Sequence, residues 1–496
     1  MIRWTPRGMA RVIGATLSPQ VELAAPVTGV VIDSRLAGPG AAFVALAGQH
    51  VDGADFVADA VGRGAPLAIV GRPVAGPTAL VSDPALALRQ IAEVALERAR
   101  EANPKLRVIA ITGSVGKTTT KDLLARITRA QGTTVASEGS FNNHLGVPLT
   151  AVQADGGTDW LILEMGANHE GEIARLARIA RPDVAVVLAV SNAHVGEFGS
   201  LDAVARAKTE LVKGLAEGGV AVLNTSDRAV SAMRFEAPGE VMSFGLDDSA
   251  RIAGYDVASD ASGHLSLTLE DHYTQARARV VTRLTGEHLA IDVVGAAAAA
   301  VAAGISLAKA AAALDGAEPA SPHRMAIRRL TNRLTLVDDS YNASPDSMLA
   351  AIHAVGRLAR RDRRLASAVI APMAELGEAS AEAHRAAGQA LALERFERVI
   401  VLGEEAREVY WGARAGGLAA DAIELRPNSD GLVDAIGQLP GPGYLLLKGS
   451  HGSGLWQVAE SLTAGLEADG APGAAVNGPD GLAKSLWELD GLGDWA

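Results

Sequence analysis

The chain has 496 residues, of which 48% are hydrophobic and 21% charged, with a formal net charge of -12 and no cysteine. That length suits about three compact domains, and the mixed composition excludes a disordered chain. The acidic balance argues against a nucleic-acid backbone as the main partner, and the missing cysteines remove disulfides, thiolate metal sites and thiol nucleophiles.

Arg3, Arg7 and Arg11 open the chain without a following apolar run, so no secretory signal is expected. From Val27 to Ala99 short apolar runs (27–32, 42–46, 67–70 and 79–81) alternate with helical patterns at 54–62 and 86–99, which reads as a small α/β unit ending near Asn103-Pro104. A second unit starts with the strand-like run Leu106–Ile111, a glycine turn and a helix over 118–131. Further strand runs at 160–164, 184–190 and 220–223 predict βαβ units and a mainly parallel sheet. Shorter alternating strands follow over 241–284. Alanine-rich helices at 291–314 close the unit, and their most apolar stretch, 293–307, is too short to span a bilayer and reads as buried helix. After Pro319 and Pro322 a third α/β series places strands at 334–337, 366–370, 399–402 and 444–447. The reading is α/β throughout, with domains at 1–104, 105–318 and 319–466. A tail over 467–496, rich in Gly, Pro, Asp and Ala, stands outside any core and reads as a flexible end, with docking of its acidic, apolar segment from Gly481 on a partner as the alternative.

The strongest motif is Thr112-Gly113-Ser114-Val115-Gly116-Lys117-Thr118-Thr119, between a predicted strand and a predicted helix. Glycines let backbone N–H groups face phosphate oxygens, the helix start adds positive potential, Lys117 reaches the outer phosphates, and the Thr118 hydroxyl can ligate Mg²⁺. Ile111 stands where the general pattern has its first glycine, so this is a narrower variant. Glu164 ends a strand run, where α/β sheets gather ligands, and suits a metal-binding carboxylate. His194 follows the next strand, and Lys208 lies about one helix further on; taken alone, such a histidine is more often a hydrogen-bonded structural residue and such a lysine a solvated one.

These fragments stand in the order and spelling of the Mur ligases. The phosphate loop resembles their ATP loop. Gly139-Ser140-Phe141-Asn142-Asn143-His144-Leu145-Gly146-Val147-Pro148 and Glu164-Met165-Gly166-Ala167-Asn168-His169 are similar to further segments of that family. Ala193-His194-Val195-Gly196, Ala207-Lys208, Asp338-Asp339-Ser340-Tyr341-Asn342 and Lys448-Gly449-Ser450 continue the series, and Asp33-Ser34-Arg35 extends it to the first unit. The resemblance covers about residues 27 to 465.

It implies a three-domain architecture: a small N-terminal domain for the UDP end of the substrate, a central ATPase-like domain and a C-terminal Rossmann-like domain. It further implies a cytoplasmic, monomeric ligase that joins D-alanyl-D-alanine to UDP-MurNAc-tripeptide using ATP and two Mg²⁺ ions. Thr118, Glu164, His194 and a carbamylated Lys208 would hold the metal. Gly113 to Thr119 with Arg324 and Asp339 would bind ATP, and Ser34, Arg35, Asn142, Asn143, Asn342, Lys448 and Ser450 would touch substrate. Three departures stand out. Leu289 and Asp292 occupy positions where the family has asparagine, Ala371-Pro372 replaces Gly-Asp, and His451 replaces an arginine, exchanging a fixed charge for a titratable ring. They leave two alternatives, a paralogue with other substrates and a nucleotide-binding protein without ligase activity.

Overall fold

The computed structural model describes residues 1–48, 51–191, 195–260, 263–330 and 333–467, with side chains described to residue 464. His194 and nearly all of the 467–496 tail therefore lie outside the described residues.

Three sheets follow one another along the chain. The first has five strands, ordered Thr16–Leu17, Thr78–Leu80, Leu67–Val70, Ala41–Val44 and Gly29–Val31, parallel except at the Thr16 edge. Its last helix, Pro84–Ala102, starts cleanly because Asp83 accepts the backbone N–H groups of Ala85 and Leu86 and a proline takes the first helical position. The residues of this helix at helical spacing, Leu88, Ile91, Ala95 and Ala99, are all buried.

The central sheet has nine strands. Its parallel part centres on Arg107–Thr112, flanked by Trp160–Glu164 and Val184–Val187. Both faces of these strands are covered, so they read as unbroken apolar runs. The alternating segment becomes the antiparallel strands Ile252–Ser259, His264–Asp271 and Ala276–Thr285 at one end of the sheet. The alanine-rich helix Ala290–Ala302 lies behind the phosphate loop, with Val293 to Ala300 buried on all sides. Among the described residues no helix is long and apolar enough to cross a membrane.

The third sheet orders its six strands Ala326–Arg329, Leu334–Asp339, Gly443–Lys448, Leu365–Ile370, Arg398–Leu402 and Ile423–Arg426. All neighbours are parallel except the first pair. Asp339 and Lys448 end adjacent parallel strands in register, at the carboxyl edge where open α/β sheets bind ligands. The edge strands Ala326–Arg329 and Ile423–Arg426 were not anticipated, because an exposed edge lacks the apolar run that marks a central strand.

Candidate active site

The phosphate loop runs from the strand Arg107–Thr112 into the helix Lys117–Arg129. Gly116 adopts a left-handed φ of +83°, and a Cβ there would come within 2.2 Å of Asp292 Oδ1. A Cβ on Gly113 would meet Leu188 Cβ at 2.9 Å. Gly116 is thus required by its left-handed turn and Gly113 by close packing. Ser114 secures the far side: its N–H donates to Ala189 O at 2.8 Å, and its Oγ accepts the Ser191 N–H at 2.9 Å. Lys117 Nζ folds back over the loop onto Gly113 O at 2.7 Å, and burial lowers its pKa, with Glu164 opposing the shift.

Beside the loop the polar side chains form a connected set. Thr118 Oγ1 donates to Glu164 Oε2 at 2.9 Å, and Asn142 Nδ2 donates to Glu164 Oε1 at 2.8 Å. Ser140 Oγ lies 3.1 Å from Thr118 Oγ1, and Arg324 Nη2 donates to Ser140 at 3.1 Å from the third domain. Lys208, on the helix Leu201–Lys213, is buried, and its pKa falls to about 7 through burial and then through the charge of Lys117. Among the described residues no carboxylate pairs with it.

An oxygen-rich set of this kind suits Mg²⁺, a hard cation that favours carboxylate and hydroxyl ligands. Among the described residues no group of three His, Asp or Glu stands together, and the Thr118 hydroxyl lies beside the Glu164 carboxylate. An unmodified lysine at 208 would repel the ion; a carbamate there would attract it. The glycine cradle, with Lys117 over it, likewise fits a nucleotide triphosphate.

The third domain faces this set across one cleft of about 2140 Å³, lined by residues of all three domains. Asp339 is fixed from both sides, accepting the Met325 N–H at 3.1 Å and pairing with buried Lys448 at 2.5 Å. Lys448 also donates to Asn342 O at 3.0 Å. The Arg324 guanidinium lies 4.2 Å over the Tyr341 ring, and His451 stacks on Trp456 with ring centroids 5.5 Å apart.

The structure brings Gly113 to Thr119, Asn142, Glu164, Lys208, Arg324, Asp339, Asn342, Lys448 and Ser450 together around the loop and cleft. Asn143 lines the cleft too, but its oxygen accepts the N–H groups of Leu145 and Gly146 and so closes the turn that leads into the next helix. Ser34 and Arg35 do not line the cleft; Arg35 forks onto Asp33 at 2.9 Å, with most of its side chain exposed.

Sequence reasoning missed Ser140 and Lys121. Buried Lys121 donates to Ser137 O and Gly139 O, both at 2.8 Å, and so holds the loop that carries Ser140 and Asn142. Its signal was its place one helical turn after Lys117, on the same face. Asp292 also gains a meaning. Burial raises its pKa to about 8, against the pull of Arg324. That shift favours the uncharged acid at a side chain that packs against Gly116.

The chain matches the family descriptions "Mur ligase family, catalytic domain" over residues 26–111, "Mur ligase middle domain" over 111–300 and "Mur ligase, glutamate ligase domain" over 323–451. It is 36% identical to the UDP-N-acetylmuramoyl-tripeptide--D-alanyl-D-alanine ligase of Mycobacterium tuberculosis, over 94% of this chain and 98% of that one. The crystal structure of MurF from Acinetobacter baumannii superposes with a TM-score of 0.81 at 28% identity, over 94% of this chain and 99% of the other. MurF of Thermotoga maritima in complex with ADP gives 0.73 at 26% identity, covering 89% and 99%. With its three-sheet fold and phosphate loop matched along nearly the whole chain, this protein belongs to the Mur ligase family.

Proposed function

We infer that this chain is an ATP-dependent, ADP-forming ligase that joins D-alanyl-D-alanine to UDP-N-acetylmuramoyl-tripeptide in peptidoglycan precursor synthesis. The names of relatives matched along nearly their full length support this reading, as does the ADP bound by the Thermotoga maritima protein. The observation that carries it is the hydrogen-bonded Thr118–Glu164 pair beside Lys117 and Lys208, faced by Arg324 and Asp339 across the cleft.

The chemical problem is like charge. A peptide carboxylate must attack the γ-phosphorus of ATP, although both groups are anionic. Lys117 and the loop N–H groups neutralise and orient the phosphates. Thr118, Glu164, His194 and Lys208 as its carbamate would hold two Mg²⁺ ions, which would supply the remaining charge stabilisation. Lys208 suits that modification because a buried amine of lowered proton affinity is uncharged often enough for its lone pair to attack CO₂; loss of a proton then leaves an anion. The carboxylate oxygen forms a bond to phosphorus as ADP leaves. The amine of D-alanyl-D-alanine then attacks the acyl carbon, phosphate departs and the nitrogen gives up a proton. Asn142 holds Glu164 in place, and the three-domain cleft keeps water from the acyl phosphate.

Ser34 and Arg35 are assigned to the uridine end, and Asn143, Asn342, Lys448 and Ser450 to the peptide end, with Lys448 acting by fixing Asp339. We place the domain limits at residues 104 and 318 and the enzyme in the cytoplasm as a monomer. Mass spectrometry of a reaction containing ATP, Mg²⁺, bicarbonate, the UDP-tripeptide and D-alanyl-D-alanine tests the reading. The expected result is a UDP-pentapeptide with one ADP and one phosphate per bond formed, and absence of that product would overturn it.

A further inference from the structure

A hydroxyl carries one proton, and counting protons fixes the direction of the hydrogen bonds around Ser140. Thr118 gives its only proton to Glu164, so toward Ser140 its oxygen can only accept. Ser140 must therefore donate to Thr118, and its own oxygen accepts from the Arg324 guanidinium. The result is a one-way chain from a cation of the third domain, through two hydroxyls, to a carboxylate of the central domain.

Both ends of the loop bearing Ser140 are fixed. Lys121 grips Ser137 O and Gly139 O just before it, and Asn142 just after it donates to Glu164 while its carbonyl accepts the Gly166 N–H at 2.8 Å. On the other side, Arg324 is steadied by the Tyr341 ring, and nearby Ser321 Oγ donates to Asp122 Oδ2 at 2.6 Å.

We propose that Ser140 is a positioning residue through which the third domain, by way of Arg324, sets the orientation of the Thr118 hydroxyl. This rests on the reading of Thr118 as part of the nucleotide and metal site. With Arg324 in place, the Ser140 oxygen is engaged and its proton is directed at Thr118, which holds one rotamer with its own proton on Glu164. With Arg324 withdrawn, Ser140 can rotate, and Thr118 loses the contact that selects that rotamer. Docking of the third domain and readiness of the phosphate loop are thus coupled through one hydroxyl.

The test compares Ser140→Thr with Ser140→Val, which have the same shape and differ by the hydroxyl, in the full-length protein. The expected result is that Ser140→Val lowers kcat by about tenfold, the scale of one charge-assisted hydrogen bond. It should leave KM for the UDP-tripeptide unchanged, and Ser140→Thr should rescue kcat. Hydrogen exchange supplies a second readout: Mg²⁺–ADP should protect residues 321–325 in the parent protein and in Ser140→Thr, but not in Ser140→Val. Combining Ser140→Val with Arg324→Ala should be no worse than Arg324→Ala alone. Equal kcat and equal ADP-dependent protection in Thr and Val variants, or additive effects of Ser140→Val and Arg324→Ala, would overturn the proposal. Failure of the parent protein to make amide product would instead sink the ligase reading, leaving the exchange comparison to be judged on its own.

Discussion

The two interdomain junctions are built from different materials. Between the first and second domains the hydrophobic core does not stop: one cluster runs from Trp4, Val27 and Ile69 through Leu88 and Ile91 to Val108, Leu161 and Leu176. Arg98 over the Trp4 ring and Arg100 paired with Asp183 at 3.1 Å cover its edge. Between the second and third domains the hydrogen bonds are Ser321 to Asp122, Arg324 to Ser140, Gly196 N–H to Glu375 O at 3.1 Å and Arg361 to Asp260 O at 2.6 Å, and apolar contact is confined to spots such as Leu358 beside Gly263. The apolar clusters of the third domain hold residues of that domain alone. Apolar contact is non-directional and scales with area, so a shared core locks two domains into one body. A few hydrogen bonds are nearly isoenergetic with those to water, so a polar junction can open and close at small cost. The first junction is therefore structural, and the second is where a change in the shape of the cleft is expected.

The largest effect expected from breaking this contrast comes from Ile91→Asp, which puts a carboxylate into the shared core. It should cost more than about 4 kcal/mol and unfold the first two domains together in a urea titration. Separate transitions for the two domains would contradict a common core. At the polar junction the balance reverses. Arg324→Ala should lower kcat/KM for ATP by about 100-fold, roughly 2.7 kcal/mol of transition-state stabilisation, with the melting temperature almost unchanged. A large stability loss with retained turnover would mean that Arg324 serves packing.

Acid should loosen the same junction from within the third domain. Buried His384 accepts the Met373 N–H on Nε2 at 2.9 Å and meets Ser380 O through Nδ1 at 2.7 Å, which holds the 373–377 loop that touches Gly196. Burial lowers its pKa below the ordinary 6.5, with the Ser380 contact, Glu405 and Glu408 opposing. The unfolded chain therefore takes up a proton before the folded one. Stability falls as pH drops below about 6.5 and levels off beneath the folded-state pKa, with a slope of at most about 1.4 kcal/mol per pH unit. Chemical denaturation from pH 7 to 5 should show this slope for the parent protein and a flatter one for His384→Gln. The smallest effect belongs to Ser321→Ala, which removes one exchangeable hydrogen bond and should cost about 0.5–1 kcal/mol in a melt.

How much of the site could be read in advance depended on whether the chemistry was local. The phosphate loop is contiguous, and its strand, glycine turn and helix follow from eleven neighbouring residues, 109 to 119. Glu164 was legible because a carboxylate closing an apolar strand run must emerge at the sheet's ligand edge. Ser140 was not, since a serine in a polar loop has no pattern and gains its role only from partners 22 residues before and 184 residues after it. Lys448 was expected near the peptide, yet the fold buries it against Asp339 across two parallel strands, a pairing fixed by sheet register.

The sequence by itself determined the α/β class, the order of the three units and the phosphate loop, because apolar periodicity and glycine geometry act over a few residues. Only the tertiary structure decided which units share a core, that Asp292 is buried against Gly116, and that Arg324 reaches Ser140. Those outcomes depend on burial and on distances between groups far apart in the chain, which no local pattern encodes.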